Sequence, residues 1–491
     1  MVKGKCYAAV DLGAESGRVV VGIYDGSRMT LEEIHRFPNG GTNILGSIYW
    51  DPVRLFSEIK TGLAQAVARF GDALCSVGVD TWGVDYGLLD RTGQLISMPH
   101  CYRDPRVDRV MEACGERLSM DELYAGTGIQ IMFLNTVFQL FAETQETPQR
   151  LEIADQLLFM PDLMNYWLSG VTANEFTIAS TSGCMNMRNG QWNDEILTRL
   201  GIPSDIFLEP TAPGTTLGPL TEAIETEIQA KLNVVTVGSH DTASAVAGVP
   251  AVGSEYAYVS SGTWALLGIE TAAPIINDQS QRYNLTNEGG ICNTIRVLGN
   301  ITGMWIVQEC RRTFAGEGDN YDYAEITRMA EPADPHVAVI DPDYPAFSTP
   351  GNMPKKIQDY CRDTGQQVPE TRGEILRTAF ESMALKYRLV LERLEDLRGG
   401  PVEVLHIVGG GSRNRLLNQM VADAINRPVI TGPVEATSVG NFLMQMIAGG
   451  DLKSLDEGKA LVGDSFETAE FEPENPAPWE APFEVLKKNI G

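Results

Sequence analysis

The sequence predicts an α/β chain built from two similar lobes with a ligand cleft between them, and three repeated patterns carry that prediction. An apolar run, a glycine turn and a second apolar run occur from Tyr7 to Tyr24, around Asp11-Leu-Gly-Ala-Glu-Ser-Gly-Arg18. They recur from Tyr256 to Ile269, around Ser260-Ser-Gly-Thr263. Each half also offers an amphipathic helix followed by a buried strand, and each half closes with a strand, a loop and a helix of small residues.

In the first half, Asp51-Pro52 opens a helix whose Leu55, Phe56, Ile59, Leu63, Val67 and Phe70 share one face, and Ser76-Val-Gly-Val-Asp80 reads as a buried strand. Val234-Val-Thr-Val-Gly-Ser-His-Asp-Thr-Ala-Ser-Ala-Val-Ala-Gly248 closes it. In the second half a long helix carrying Leu376, Phe380, Met383, Tyr387, Val390, Leu391, Leu394 and Leu397 stops at Gly399-Gly-Pro401, before a strand from Val402 to Val408. Val429 to Gly440 closes that half. The lobe boundary is placed at Gly248-Val-Pro-Ala-Val-Gly253, dividing the chain into 1–248 and 249–491. Residues 102–219 lack the regular alternation and read as an insertion in the first lobe. The proline-containing stretch at Pro473, Pro476, Pro478 and Pro482 reads as a tail.

A chain of 491 residues is long enough for two large domains, and 43% hydrophobic residues is the content of a globular protein. The formal net charge of −27 is spread along the chain, which argues against nucleic acid or an anionic membrane surface as partner. Eight scattered cysteines without a C-x-x-C pair, and no signal-peptide pattern after Met1, predict a reducing cytoplasm. Five dispersed histidines argue against a structural zinc site.

A hairpin turn rich in Gly and Ser leaves backbone N–H and hydroxyl groups free to face an anion, so the paired turns predict a nucleotide held from both sides. One such turn alone is compatible with an ordinary hairpin. Asp11, beside the first turn, would repel polyphosphate unless a cation lies between them, which makes it a candidate Mg²⁺ holder through water, or it is a turn aspartate capping its own loop. Arg18 adds charge there, or is a surface arginine. Asp241, between an apolar strand and a helix of small residues, is either a helix cap or a carboxylate that accepts a proton from an attacking hydroxyl. Val408-Gly-Gly-Gly-Ser-Arg-Asn414 lets a flat ring or sugar approach the backbone, at a spacing unlike a P-loop or a dinucleotide fingerprint. Asp80-Thr-Trp-Gly-Val-Asp85 suits a sugar stacked on Trp82, or is a core turn. Asn300 and Gln308 are amides near a helix start.

Together with Tyr102-Arg-Asp104, Met160-Pro-Asp162, Thr286-Asn-Glu-Gly-Gly290 and Gly432-Pro-Val-Glu-Ala436, these motifs resemble the FGGY family of carbohydrate kinases, within the actin-like ATPase superfamily, over nearly the whole chain. The resemblance implies two actin-like (ribonuclease H-like) lobes, the first for sugar binding and catalysis, the second for nucleotide. It implies transfer of the γ-phosphate of ATP, with Mg²⁺, to O1 of L-rhamnulose. It makes Asp241 the proton acceptor and gives Gly83, His240, Asp241, Thr242 and Asn300 to the sugar. Ala14, Glu15, Ser16, Gly17, Arg18, Thr263, Gln308 and Gly410 go to ATP. Glu15 departs from the small hydroxyl residue common at that place, so its side-chain role stays open while the backbone contacts do not. Alternatives are a kinase for another ketose such as L-fuculose, or a non-metabolic actin-like ATPase or regulator. The Asp80–Asp85 turn together with Asp241 argues against the regulator.

Overall fold

Two sheets with the same succession of strands organise the chain. The computed structural model describes residues 4–251, 253 and 255–490; the opening Met1-Val-Lys3 and Val252 of the predicted boundary lie outside the described residues. The first sheet runs, edge to edge, Thr216–Pro219, Asn233–Val235, Leu74–Thr81, Lys5–Leu12, Ser16–Tyr24 and Met29–Pro38. Lys5–Leu12 and Ser16–Tyr24 form an antiparallel hairpin, and Lys5–Leu12 pairs in parallel with Leu74–Thr81. In the second sheet Tyr256–Ser261 pairs antiparallel with Trp264–Thr271 and parallel with Val404–Val408. Val429–Thr431 and Ala469–Phe471 continue from there, parallel and then antiparallel. The repeated turns of the sequence are therefore the first hairpins of two equivalent sheets.

The predicted helices form where their signals lie. Pro52–Phe70 starts at Asp51, whose carboxylate accepts the Arg54 N–H, and buries Leu55, Ile59, Leu63 and Phe70. Arg372–Arg398 is capped by a Thr371/Glu374 capping box and stops at Gly399, whose φ of 84° is left-handed.

The chain separates into two compact units. One comprises Met1–Val252, Glu270–Val297 and Ala436–Phe466; the other comprises Gly253–Ile269, Leu298–Glu435 and Glu467–Gly491. The helix Ala436–Ala448, which closes the second half in sequence, thus belongs to the first unit. There it packs on Asp241–Ala247, and a Cβ at Gly440 would overlap the Ser244 carbonyl oxygen. Its polar side chains meet the sheet: Gln445 donates to the Ala8 carbonyl at 2.9 Å and accepts from Ser76 Oγ at 2.6 Å.

Residues 102–219 fold mostly as short helices, among them Thr136–Glu146, and brace the first sheet. Buried Arg106 donates to Glu143 at 2.7 Å and to Gln139 at 3.0 Å, and lies 2.8 Å from Nδ1 of His100. Burial, with Arg106 beside it, depresses the His100 pKa to about 3. The unfolded chain takes up a proton near pH 6.5 that the fold refuses, so stability must fall as pH falls below that value. Urea unfolding at pH 7.5 and pH 5 should show the native protein losing about 2 kcal/mol more than His100→Asn over that interval.

Among the described residues no helix is long and apolar enough to cross a membrane, and all eight cysteines are free thiols.

Candidate active site

Parallel pairing brings Asp11 and Asp80 to the same level at the ends of adjacent strands, and antiparallel pairing sets Arg18 opposite Asp11. Arg18 donates to Asp11 Oδ2 through Nε at 2.9 Å and Nη2 at 2.6 Å, so the two charges expected to serve cation and phosphate separately are already joined. The turn between the strands is Gly13-Ala14-Glu15, closed by the Gly13 N–H on the Ser16 carbonyl and held from outside by Asn39. Glu15 is exposed. Ser16 and Gly17 begin the second strand, and a Cβ at Gly17 would collide with the ring of Phe37.

Asp80 is fully buried. Asn441 donates to its Oδ2 at 2.6 Å, while Oδ1 has no hydrogen-bond partner. Burial, reinforced by the charge of Asp11, pushes its carboxyl well above the ordinary range.

One residue further on, Thr81 N donates to the Ser239 carbonyl at 2.9 Å and bridges to His240, which ties the end of the central strand Leu74–Thr81 to the His240-Asp241-Thr242 loop. The loop is pinned from below by Glu175. Its carboxyl accepts from Thr177 N and Ile178 N, capping their short helix, and from Ser239 N at 3.2 Å. Burial holds Glu175 at about 7 despite these donors. His240 N completes the pin by donating to Thr177 Oγ1 at 3.1 Å. The cap position of the helix Asp241–Ala247 is His240, without a side-chain cap bond, so Asp241 is not the capping residue. Its side chain keeps about a third of its exposure, 33%. Desolvation, with Asp11 adding repulsion, raises its carboxyl above the ordinary range.

The Asp80–Asp85 turn corrects one expectation. Trp82 is a core side chain, packed against Trp50 at 4.1 Å between ring centroids with the rings tilted by 36°, and offers no open face for a sugar. Its N–H joins those of Trp50, Tyr102 and the Gln139 amide on Asp85, so that carboxylate is a structural hub. What the turn presents is Gly83 and the backbone beside it, with Val84 N donating to Thr181 Oγ1 at 3.1 Å and Val84 O accepting from Thr136.

In the second unit, Thr263 and Gln308 are brought together. Trp305 N donates to the Thr263 carbonyl, and Gln308 Nε2 lies 3.4 Å from Thr263 Oγ1; the Gln308 side-chain oxygen is buried with no hydrogen-bond partner. At the end of the neighbouring strand, Gly409 takes φ 83° against the Ser261 backbone, and a Cβ at Gly411 would overlap the Ser261 hydroxyl. Gly410 faces open space. Asn414 caps the following helix through Leu417 N. Asn300 lies in the strand Ile295–Thr302, also in this unit.

Residues 6–248 match the model of the FGGY family of carbohydrate kinases, N-terminal domain, and residues 257–449 match that of its C-terminal domain. The chain belongs to the FGGY family of carbohydrate kinases. It is 43% identical over 99% of both chains to the rhamnulokinase of Bacteroides thetaiotaomicron, and 44% identical to that of Enterococcus faecalis over 95% of this chain and 94% of the relative. The fold matches the ligand-bound xylulose kinase of Lactobacillus acidophilus (TM-score 0.80, 14% identity, 99% and 97% covered). It likewise matches the glycerol kinase of Plasmodium falciparum with ADP (TM-score 0.77, 15% identity, 99% and 98% covered).

An FGGY carbohydrate kinase moves a phosphoryl group to a sugar hydroxyl, which calls for a carboxylate near that hydroxyl and for groups that fix the sugar. Sequence reasoning missed Arg296 of this neighbourhood and gave no role to Glu288, which lies in the motif Thr286-Asn-Glu-Gly-Gly290. Glu288 and Arg296, on a hairpin formed by Thr286–Gly289 and Ile295–Thr302, both lie within 3.2 Å of His240 Nδ1. An arginine between Ile295 and Val297 in a buried strand was the available signal.

Proposed function

We propose that this kinase transfers the γ-phosphate of ATP to O1 of L-rhamnulose. The observation that supports the substrate is the 43% identity to a curated rhamnulokinase over 99% of both chains. Asp241 accepts the proton of the attacking hydroxyl; in a loose phosphoryl-transfer transition state that proton leaves late, so a carboxylate within hydrogen-bond reach suffices. His240, Thr242, Gly83 and Asn300 fix the sugar. Ala14, Glu15, Ser16 and Gly17, through the backbone of their turn, and Arg18, through its charge, serve the phosphates. Thr263, Gln308 and Gly410 serve the rest of the nucleotide, where the unpartnered Gln308 oxygen fits an amine or hydroxyl donor. The sugar-binding and catalytic role falls to residues 1–248 and the nucleotide role chiefly to 249–491.

A divalent cation accompanying the nucleotide fits the opposed carboxylates Asp11 and Asp80, since Asp80 Oδ1 is a buried acceptor without a partner. These residues would hold Mg²⁺ through its waters, and the bound ion would neutralise phosphate charge.

The test is ADP release with Mg-ATP against L-rhamnulose, L-fuculose, L-xylulose, L-ribulose, D-xylulose and glycerol. Selective turnover of L-rhamnulose is expected. Preference for another ketose would overturn the substrate, and turnover of ATP indifferent to sugar would overturn the kinase mechanism.

The two neighbouring glycines separate binding from folding. Gly410→Ala, projecting into open space, should keep the melting temperature and raise KM for ATP several-fold with the sugar KM unchanged. Gly411→Ala, colliding with Ser261, should lose about 1–3 kcal/mol of stability.

A further inference from the structure

A neutral imidazole with an exposed lone pair is a stronger base than a carboxylate, yet it is Asp241 and not the adjoining His240 that takes the proton in the reading above. The surroundings of His240 supply a reason. Its Nδ1 lies 3.2 Å from Nη2 of Arg296, with the guanidinium N–H aligned on it. It lies equally 3.2 Å from Glu288 Oε2, an oxygen that completes no aligned hydrogen bond. Arg296 has no solvent exposure and is locked in place: Nε donates to the Gly289 carbonyl at 2.9 Å, and Nη2 stands 3.1 Å from Glu288 Oε2. A guanidinium carries only donors, so its bond to Nδ1 requires the lone pair there and places the imidazole proton on Nε2. Nε2 is the nitrogen that faces the acceptor side, 3.5 Å from Asp241 Oδ1.

We propose that Arg296 is a positioning residue that holds His240 in its Nε2–H tautomer, so that the imidazole donates to an oxygen at the sugar site and proton acceptance is left to Asp241. This rests on the assignment of Asp241 as the proton acceptor. Glu288 balances the charge of Arg296, which could not remain buried unpaired without a large desolvation cost. Glu288 is also the competitor: with Arg296 gone, it is the acceptor that draws the proton to Nδ1 and leaves a bare lone pair on Nε2.

Long-range ¹H–¹⁵N spectra of protein labelled on its five histidines read the tautomer without turnover, with His240 assigned by the signal missing from His240→Asn. The native protein is expected to carry the proton on Nε2. Arg296→Met should move it toward Nδ1 and raise KM for the ketose about tenfold, by loss of the fixed donor, with a smaller change in kcat. Arg296→Gln, which retains an N–H for Nδ1, should restore most of that KM. A native spectrum with the proton on Nδ1 overturns the proposal whatever Asp241 does, as does a folded Arg296→Met with unchanged tautomer and KM. Should Arg296→Met not fold, the native spectrum still decides. Full turnover by Asp241→Asn removes the proton-acceptor assignment instead, an outcome independent of where the His240 proton is found.

Discussion

Replacing Asp241 with alanine is expected to lower kcat by about 10²–10⁴-fold, the contribution of a positioned general base. The fold should barely respond. Asp241 follows the cap position and does not itself cap the helix, and within the loop its side chain accepts from Thr242 Oγ1 at 3.3 Å and lies 3.5 Å from His240 Nε2. Because the fold raises its carboxyl pKa, the ionised side chain adds nothing to stability near neutral pH, so its removal should leave the melting temperature level or slightly higher. The pH dependence follows from the same surroundings. The carboxylate must be ionised to accept a proton, and burial with Asp11 nearby raises its pKa, so kcat/KM should rise with pH through a limb above the ordinary aspartate value. Steady-state kinetics across pH, with thermal melts of both proteins, checks each part. A folded variant with native turnover would remove Asp241 from the chemistry.

Local signals made the scaffold readable. The first hairpins of both sheets announce themselves because continuous apolar runs meet at glycine turns, and the helices Pro52–Phe70 and Arg372–Arg398 carry signals in adjacent residues, Asp51-Pro52 at the start of the one and Gly399 at the end of the other. What stayed hidden depends on partners far along the chain. Asp85 looks like a sugar ligand until Trp50, Tyr102 and Gln139 are seen to donate to it from three other segments. Arg296 and Glu288 reach His240 across about fifty residues, which no local pattern encodes. The helix Ala436–Ala448 reads correctly as a small-residue helix closing the second half. Nothing in its own residues tells that Asn441 and Gln445 will bond to Asp80 and Ala8 in the first sheet.

The largest loss of stability is expected from Glu143→Ala. Glu143 and Arg106 are 3% and 4% exposed, and the pair is built into one buried cluster with His100 and Gln139. Removing the carboxylate leaves a guanidinium without its counter-charge in the interior, which typically costs about 3–5 kcal/mol. His100 cannot take over, because a neutral imidazole offers Arg106 an acceptor but no negative charge. The damage should also reach the site. Gln139 bridges the cluster to Asp85, and Thr136 on the same helix holds the Val84 carbonyl, so the cluster sets the position of the Gly83 turn. Under conditions where Glu143→Ala is still folded, KM for the sugar should rise while KM for ATP stays native. Arg106→Met with Glu143→Leu, which removes both charges and keeps the volume apolar, should recover much of the stability. Without Gln139 anchored by Arg106, it should not recover the native sugar KM. Chemical denaturation of the native protein and the two variants, paired with KM for each substrate, tests both halves. Recovery of stability and sugar KM together would mean that the cluster supports the fold without placing Gly83.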